Sequence, residues 1–106
     1  MSDWKAFNRG RSIGTRSPEG GVIVRDEVHP LGVRITLKEA REYISISCNI
    51  TGQIDHSRFF TKMSDAQNEY EVMKNELVKV AKTISLAKSS NIKAWGAIAA
   101  FVSRFQ

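Results

Sequence analysis

Apolar residues in the segment 64–88 recur at alternating steps of four and three residues. The series runs through Ala66, Tyr70, Met73, Leu77, Val80, Ile84 and Ala87. This spacing places all of them on one side of a long helix, predicted over 65–88 with Ser64 as its N-cap. Because a lone helix cannot bury such a stripe, the rest of the chain must supply an apolar surface that covers it.

The segment 22–62 predicts that surface, an antiparallel sheet of about four short strands. Alternation is clearest from residue 44 to residue 50, where Ile44, Ile46, Cys48 and Ile50 share one face. Proline and glycine in the 29–32 segment, and a glycine at position 52, predict tight turns between strands. In the last strand, 54–62, neither alternation is cleanly apolar, so the sequence leaves its orientation open.

A second helix is predicted over 92–105, after a break at 89–91. The predicted fold class is therefore α+β: an antiparallel β-meander over 22–62, followed by two C-terminal helices, 65–88 and 92–105, packed on one sheet face. Residues 1–21 are predicted to form an irregular, basic, glycine-rich arm. A length of 106 residues fits a single domain, 1–106, with the helical part at 64–106.

Cellular location is inferred from composition. No apolar run approaches the roughly 20 residues needed to span a bilayer, and the first residues lack the apolar core of a signal peptide. The one cysteine, Cys48, has no partner for an internal disulfide, which agrees with a reducing compartment. We therefore expect a soluble cytoplasmic protein with no membrane partner.

Residue types that carry catalysis or bind metals are sparse. His29, His56 and Cys48 do not have the closely spaced pairs of a zinc site. The adjacent carboxylates Asp26 and Glu27 lie on a predicted strand, so their side chains point to opposite faces and cannot form a dyad. The sequence thus predicts no catalytic residue, no metal site and no cofactor, and favours a protein that is not an enzyme.

Apolar residues cover much of the circumference of the second predicted helix. More apolar surface is present there than one small sheet face is expected to cover, and such surface usually marks an interaction site. The residues predicted for a protein interface are Trp95, Phe101, Val102 and Phe105. The leading hypothesis is a small non-catalytic binding module with a protein partner, most simply another copy of itself in a homodimer.

The alternative hypothesis is binding of single-stranded nucleic acid by the polar face of the sheet and the arm. The formal net charge is +5, and an open sheet with cations and an aromatic ring can hold phosphates and stack bases. The residues predicted for this surface are Arg9, Arg11, Arg16, Arg34, Lys38, Tyr43 and Arg58. Ordinary solvation of one sheet face explains the same pattern.

Overall fold

Residues 3–86 and 91–106 are described by a computed structural model of the chain. Five antiparallel strands are followed by two helices, which confirms the predicted α+β class. The strands are β1 (Lys5–Ala6), β2 (Val22–His29), β3 (Val33–Glu39), β4 (Ile44–Ile50) and β5 (Ile54–Phe60), and the helices are α1 (Met63–Leu86) and α2 (Asn91–Arg104). Each strand pairs with its neighbours in chain order, from β1 at one edge to β5 at the other.

The arm differs from the prediction because it contains a strand. Lys5 pairs with Val28 and Ala6 with Glu27, so β1 covers part of the outer edge of β2. Asn8 and Arg9 then adopt positive φ angles of 50° and 58°, which turn the chain back across the sheet. Gly21 has a φ of 84° and lies close to the backbone of Glu39. A Cβ added to Gly21 would lie 3.2 Å from the carbonyl oxygen of Glu39. The arm is thus fitted closely to the sheet.

Helix α1 lies across one face of the sheet, which we call the covered face. Ile35, Leu37 and Ile46 of this face are fully buried. Tyr70 and Leu77 of the α1 stripe are fully buried against them, as the spacing predicted. The predicted end of the first helix at 87–88, with Ala87, and the break at 89–90 lie outside the described residues.

Strand β5 continues the regular register of β4, which settles its orientation. Ile54 pairs with Ile50 and Phe60 with Ile44, so Ile54, His56, Arg58 and Phe60 face α1 and α2. The bulge that the sheet contains lies in β2, between Ile23 and Arg25, and not in β5. Asp55, Ser57 and Phe59 consequently point to the opposite side of the sheet.

Helix α2 packs against α1 of the same chain, and its C-terminal end lies over β5. Phe101 and Phe105 are 3% and 1% exposed, and the carbonyl oxygen of Phe105 lies 2.7 Å from Nε2 of His56. These two phenylalanines, predicted for a protein interface, therefore belong to the core of their own chain. They join the residues of the sheet and of α1 in one core cluster.

Candidate binding surfaces

The side of the sheet opposite α1 is here called the open face. Alternation along the strands places polar side chains there, as the sequence predicted for β3 and β4. The apolar residues Ile23 and Val28 of β2 share this face. Its polar and aromatic residues are Asp26, Arg34, Thr36, Lys38, Tyr43, Ser45, Ser47, Asn49, Asp55, Ser57 and Phe59. The arm crosses the β2 and β3 side of this face and leaves the β4 and β5 side uncovered.

Arg34 on β3 is held by the carboxylate of Asp26 on β2. Its Nε and one terminal nitrogen donate to the two carboxylate oxygens at 3.0 and 2.8 Å, and the hydroxyl of Thr36 donates to the same group at 3.0 Å. The ring of Phe7, from the arm, covers the guanidinium at 3.6 Å. These hydrogen bonds from Arg34 to Asp26 raise the pKa of the guanidinium. The charge of Arg34 is therefore compensated within the fold.

Lys38 on β3 is compensated by a carboxylate from the arm. Its Nζ lies 3.1 Å from Glu19, and the hydroxyl of Ser17 donates to the same carboxylate at 2.8 Å. The hydrogen bond from Ser17, then the one from Lys38, lowers the pKa of Glu19. The ammonium of Lys38 is thus already paired, and its side chain is only 8% exposed.

A polar groove runs along the open face beside the arm, from β3 to β5. It consists of two adjoining cavities of about 440 and 380 Å³ that share Glu19, Lys38, Ser47 and Asp55. At one end, the rings of Tyr43 and Phe59 meet edge to face with centroids 5.5 Å apart. Phe59 is 65% exposed, so this aromatic pair presents a ring surface to solvent beside a hydroxyl-lined floor.

The seven residues predicted for nucleic-acid binding are only partly brought together. Arg34, Lys38 and Tyr43 share the open face. The arm arginines, Arg9, Arg11 and Arg16, are exposed, and no carboxylate of the described ranges pairs with them. Arg58 lies on the covered side and donates to Glu69 of α1 at 3.1 Å. It therefore shares no surface with Arg34.

A second charged cluster, which the sequence analysis missed, lies between β2 and α1. The carboxylate of Glu27 accepts hydrogen bonds from Arg25 at 3.0 Å, from Lys74 at 3.0 Å and from the hydroxyl of Tyr70 at 2.9 Å. Burial alone would raise the pKa of Glu27, but the hydrogen bonds from Lys74 and Tyr70 outweigh it and the pKa is lowered. The one local signal in the sequence is Lys74, a charged residue that follows Tyr70 by one helical turn and so lies beside the apolar stripe of α1.

Cys48, the one cysteine of the chain, is buried in the core. It is 1% exposed, and burial raises the pKa of its thiol to about 12. His56 lies opposite Cys48 in the β4–β5 pair but contacts the carbonyl oxygen of Phe105. Among the described residues, no three side chains of the His, Cys, Asp or Glu type are grouped as metal ligands would be.

Over its described residues, helix α2 carries an inner apolar stripe that is buried and an outer apolar stripe that is largely exposed, with Val102 packed partly against the core. Phe101 and Phe105 form the inner stripe, whereas Ile92 and Trp95 are 80% and 68% exposed. Ala99 is exposed and Val102 half-buried, and the spacing of 92, 95, 99 and 102 places all four on one side of the helix. Of the four residues predicted for a protein interface, Trp95 and Val102 thus lie on the outer stripe.

Neither helix, over the residues that the structure describes, combines the length and the apolarity needed to cross a bilayer. The chain matches no protein-family model, no curated protein and no solved structure in the comparisons.

Proposed function

We propose that this protein is a non-catalytic binding module that self-associates through the edge strand β5 and the outer stripe of α2. The observation that carries the proposal is that the largely exposed outer stripe and the edge strand β5, with which no further strand of the described ranges pairs, lie on the same side of the molecule. The high pKa of Cys48 and the engagement of His56 by a backbone carbonyl support a role without nucleophilic chemistry.

The position of the outer stripe follows from what surrounds α2. Ala97, Ala100 and Arg104 line a groove of about 270 Å³ shared with α1, so α1 lies along that flank. Phe101 and Phe105 point to the core, with Phe105 above His56 of β5. The outer stripe therefore turns to the remaining flank, away from α1, where β5 is the last strand of the sheet.

The two edges of the sheet are protected differently. The outer edge of β2 is partly covered by β1, whereas no strand of the described ranges pairs with the outer edge of β5. Strand β5 is seven residues long and has a regular register with β4. It contains neither proline nor lysine, and of its two charged residues Arg58 is held by Glu69 on the covered face and Asp55 lies on the open face. Its unpaired backbone groups are available for another strand.

A second copy fits both surfaces at once. Antiparallel pairing of β5 with β5 of the second copy, about a two-fold axis normal to the sheet, gives one continuous sheet with all helices on one side. The two α2 helices then face each other across the junction, and Trp95 and Ile92 of each copy lose solvent. Full burial of each such side chain is worth about 1.5 to 3 kcal/mol.

Analytical ultracentrifugation over a range of protein concentrations tests this proposal. We expect a dimer for the natural chain, and we expect Trp95→Lys and Ser57→Lys to weaken it at least about tenfold, since a buried or mutually opposed ammonium is costly. Leu31→Lys is the matched control, because Leu31 is also an exposed apolar residue but lies in the β2–β3 turn. A natural chain that stays monomeric at the highest concentrations would contradict the proposal.

The alternative, binding of single-stranded nucleic acid, stays a prediction with weaker support. The exposed ring of Phe59 and the arm arginines favour it, but Asp26 and Glu19 already hold Arg34 and Lys38. Fluorescence anisotropy with a labelled oligothymidylate at low and moderate salt measures it directly. Binding that weakens steeply with salt would revive this hypothesis, and no binding at low salt would end it.

A further inference from the structure

We infer that the groove on the open face binds a neutral saccharide. Residues of β4 and β5 that face each other form three polar or aromatic pairs along its floor. Ser45 is opposite Phe59, Ser47 opposite Ser57, and Asn49 opposite Asp55. Successive pairs lie two residues apart, about 7 Å along the strands, so the floor spans more than one sugar ring.

The floor offers hydrogen-bonding groups that the protein itself does not satisfy. Ser45 is 5% exposed and lines the groove, and its hydroxyl has no hydrogen-bond partner among the described residues. In the same part of the chain, the side chains of Asn49 and Asp55 also bond to no protein group. Hydroxyls and an amide both donate and accept, and the carboxylate accepts. The hydroxyls of a polyhydroxylated ligand also donate and accept hydrogen bonds, so such a ligand can bond to all of these groups.

The aromatic pair at one end of the floor can bind the apolar face of a sugar ring. The ring of Phe59 makes an edge-to-face contact with Tyr43, and 65% of the residue stays exposed. The electron-rich face of an aromatic ring attracts the weakly positive C–H groups on the apolar face of a pyranose. Ligand sites commonly combine such an aromatic surface with a few polar groups that fix orientation.

Charge selects a neutral ligand over a phosphate-bearing one. Arg34 and Lys38 line the groove with two positive charges and Glu19 and Asp55 with two negative ones, and the buried Asp26 pairs with Arg34 beside the groove, so no positive charge is in excess. The carboxylate of Asp55 has no cation partner among the described side chains. A polyanion would meet this carboxylate and two cations that are already paired, so nucleic acid fits the groove less well.

Titration of the 15N-labelled protein, followed by its amide NMR spectrum, tests this inference. The probes are cellotriose, maltotriose and pentathymidylate. We expect at least one saccharide to shift amides of the segments 45–49 and 55–59, together with the side-chain amide of Asn49. Phe59→Ala should weaken that binding about tenfold, the size of one lost aromatic contact, while Leu31→Ala leaves it unchanged.

Two outcomes would overturn the inference: no shift with either saccharide at millimolar concentration, or shifts of the same amides by pentathymidylate at lower concentration than by either saccharide. Repeating the titration in the Trp95→Lys variant separates this site from self-association, since Trp95 lies outside the groove. Equal saccharide binding in that variant supports a site contained in one chain, and loss of binding there contradicts it.

Discussion

The covered and open faces belong to the same strands, yet they exclude water in different ways. Along β3, Ile35 and Leu37 are fully buried by apolar contact with the helical layer. Their neighbours Thr36 and Lys38 are also buried, but beneath the arm and through bonds to Asp26 and Glu19. The comparison shows that these open-face residues are buried together with hydrogen-bonded carboxylates, Asp26 from β2 and Glu19 from the arm, whereas Ile35 and Leu37 are buried by apolar contact.

Asp26 and Glu27, at neighbouring positions of β2, place one paired carboxylate on each face of the sheet. Asp26 points to the open face and binds β3 through Arg34 and Thr36. Glu27 points to the covered face and binds α1 through Tyr70 and Lys74. One carboxylate therefore joins two strands, and the other joins the edge of the sheet to the helix above it.

The largest effect is expected from a cavity on the covered face. Ile46→Ala removes a fully buried side chain at the centre of the sheet and should lower the free energy of unfolding by about 2 to 5 kcal/mol. Ser47→Ala, one residue further along β4 and on the open face, should change it by less than about 0.5 kcal/mol. Urea denaturation followed by circular dichroism measures both. An equal loss in the free energy of unfolding for both variants would show that the two faces do not differ in their contribution to stability.

Much of this two-faced sheet could be predicted from the sequence, because strand alternation is a local property. Ile44, Ile46, Cys48 and Ile50 alternate with polar residues, and the structure buries all four. The helical stripe is equally regular, since Tyr70, Met73 and Leu77 are fully buried in it. Such patterns need no knowledge of partners distant in sequence.

The rest could not be predicted because it depends on contacts between distant segments. Glu27 and Lys74 are 47 residues apart, and the sequence does not show that they meet. Strand β5 has polar residues on both faces, so only its register with β4 placed Arg58 beneath α1. Phe101 and Trp95 are similar apolar residues on one helix, and only the packing of α2 separates the buried one from the exposed one.

A smaller effect, and a sharper comparison, is expected from neutralising the two neighbouring carboxylates. Glu27→Gln leaves the ammonium of Lys74, whose side chain is 11% exposed, without its carboxylate and should destabilise the fold by about 3 kcal/mol. Asp26→Asn should cost about 1 to 2 kcal/mol, because Arg34 is 40% exposed and water can replace the lost bond. Thermal and urea unfolding of the two variants give the difference.

Lys74→Met serves as the control for this pair. It removes the buried ammonium itself, while Arg25 and Tyr70 still donate to Glu27. It should therefore cost less than Glu27→Gln. A larger loss in the free energy of unfolding for Asp26→Asn than for Glu27→Gln would contradict this prediction. It would show that the bonds of Asp26 to Arg34 and Thr36 stabilise the fold more than the charged cluster around Glu27.

The smallest effect is expected in the pH dependence of stability. The pKa of Glu27 is lowered from 4.5 in the folded chain, so its ionised form is bound more favourably in the native state than in the unfolded one. The resulting stabilisation is complete above the unfolded pKa and is lost as the pH falls through the folded one. Free energies of unfolding measured from neutral pH into this acid range should fall more steeply for the natural chain than for Glu27→Gln. Parallel curves for the two proteins would show that Glu27 is equally easy to protonate in both states, and that its bonds to Lys74 and Tyr70 contribute no net charge stabilisation.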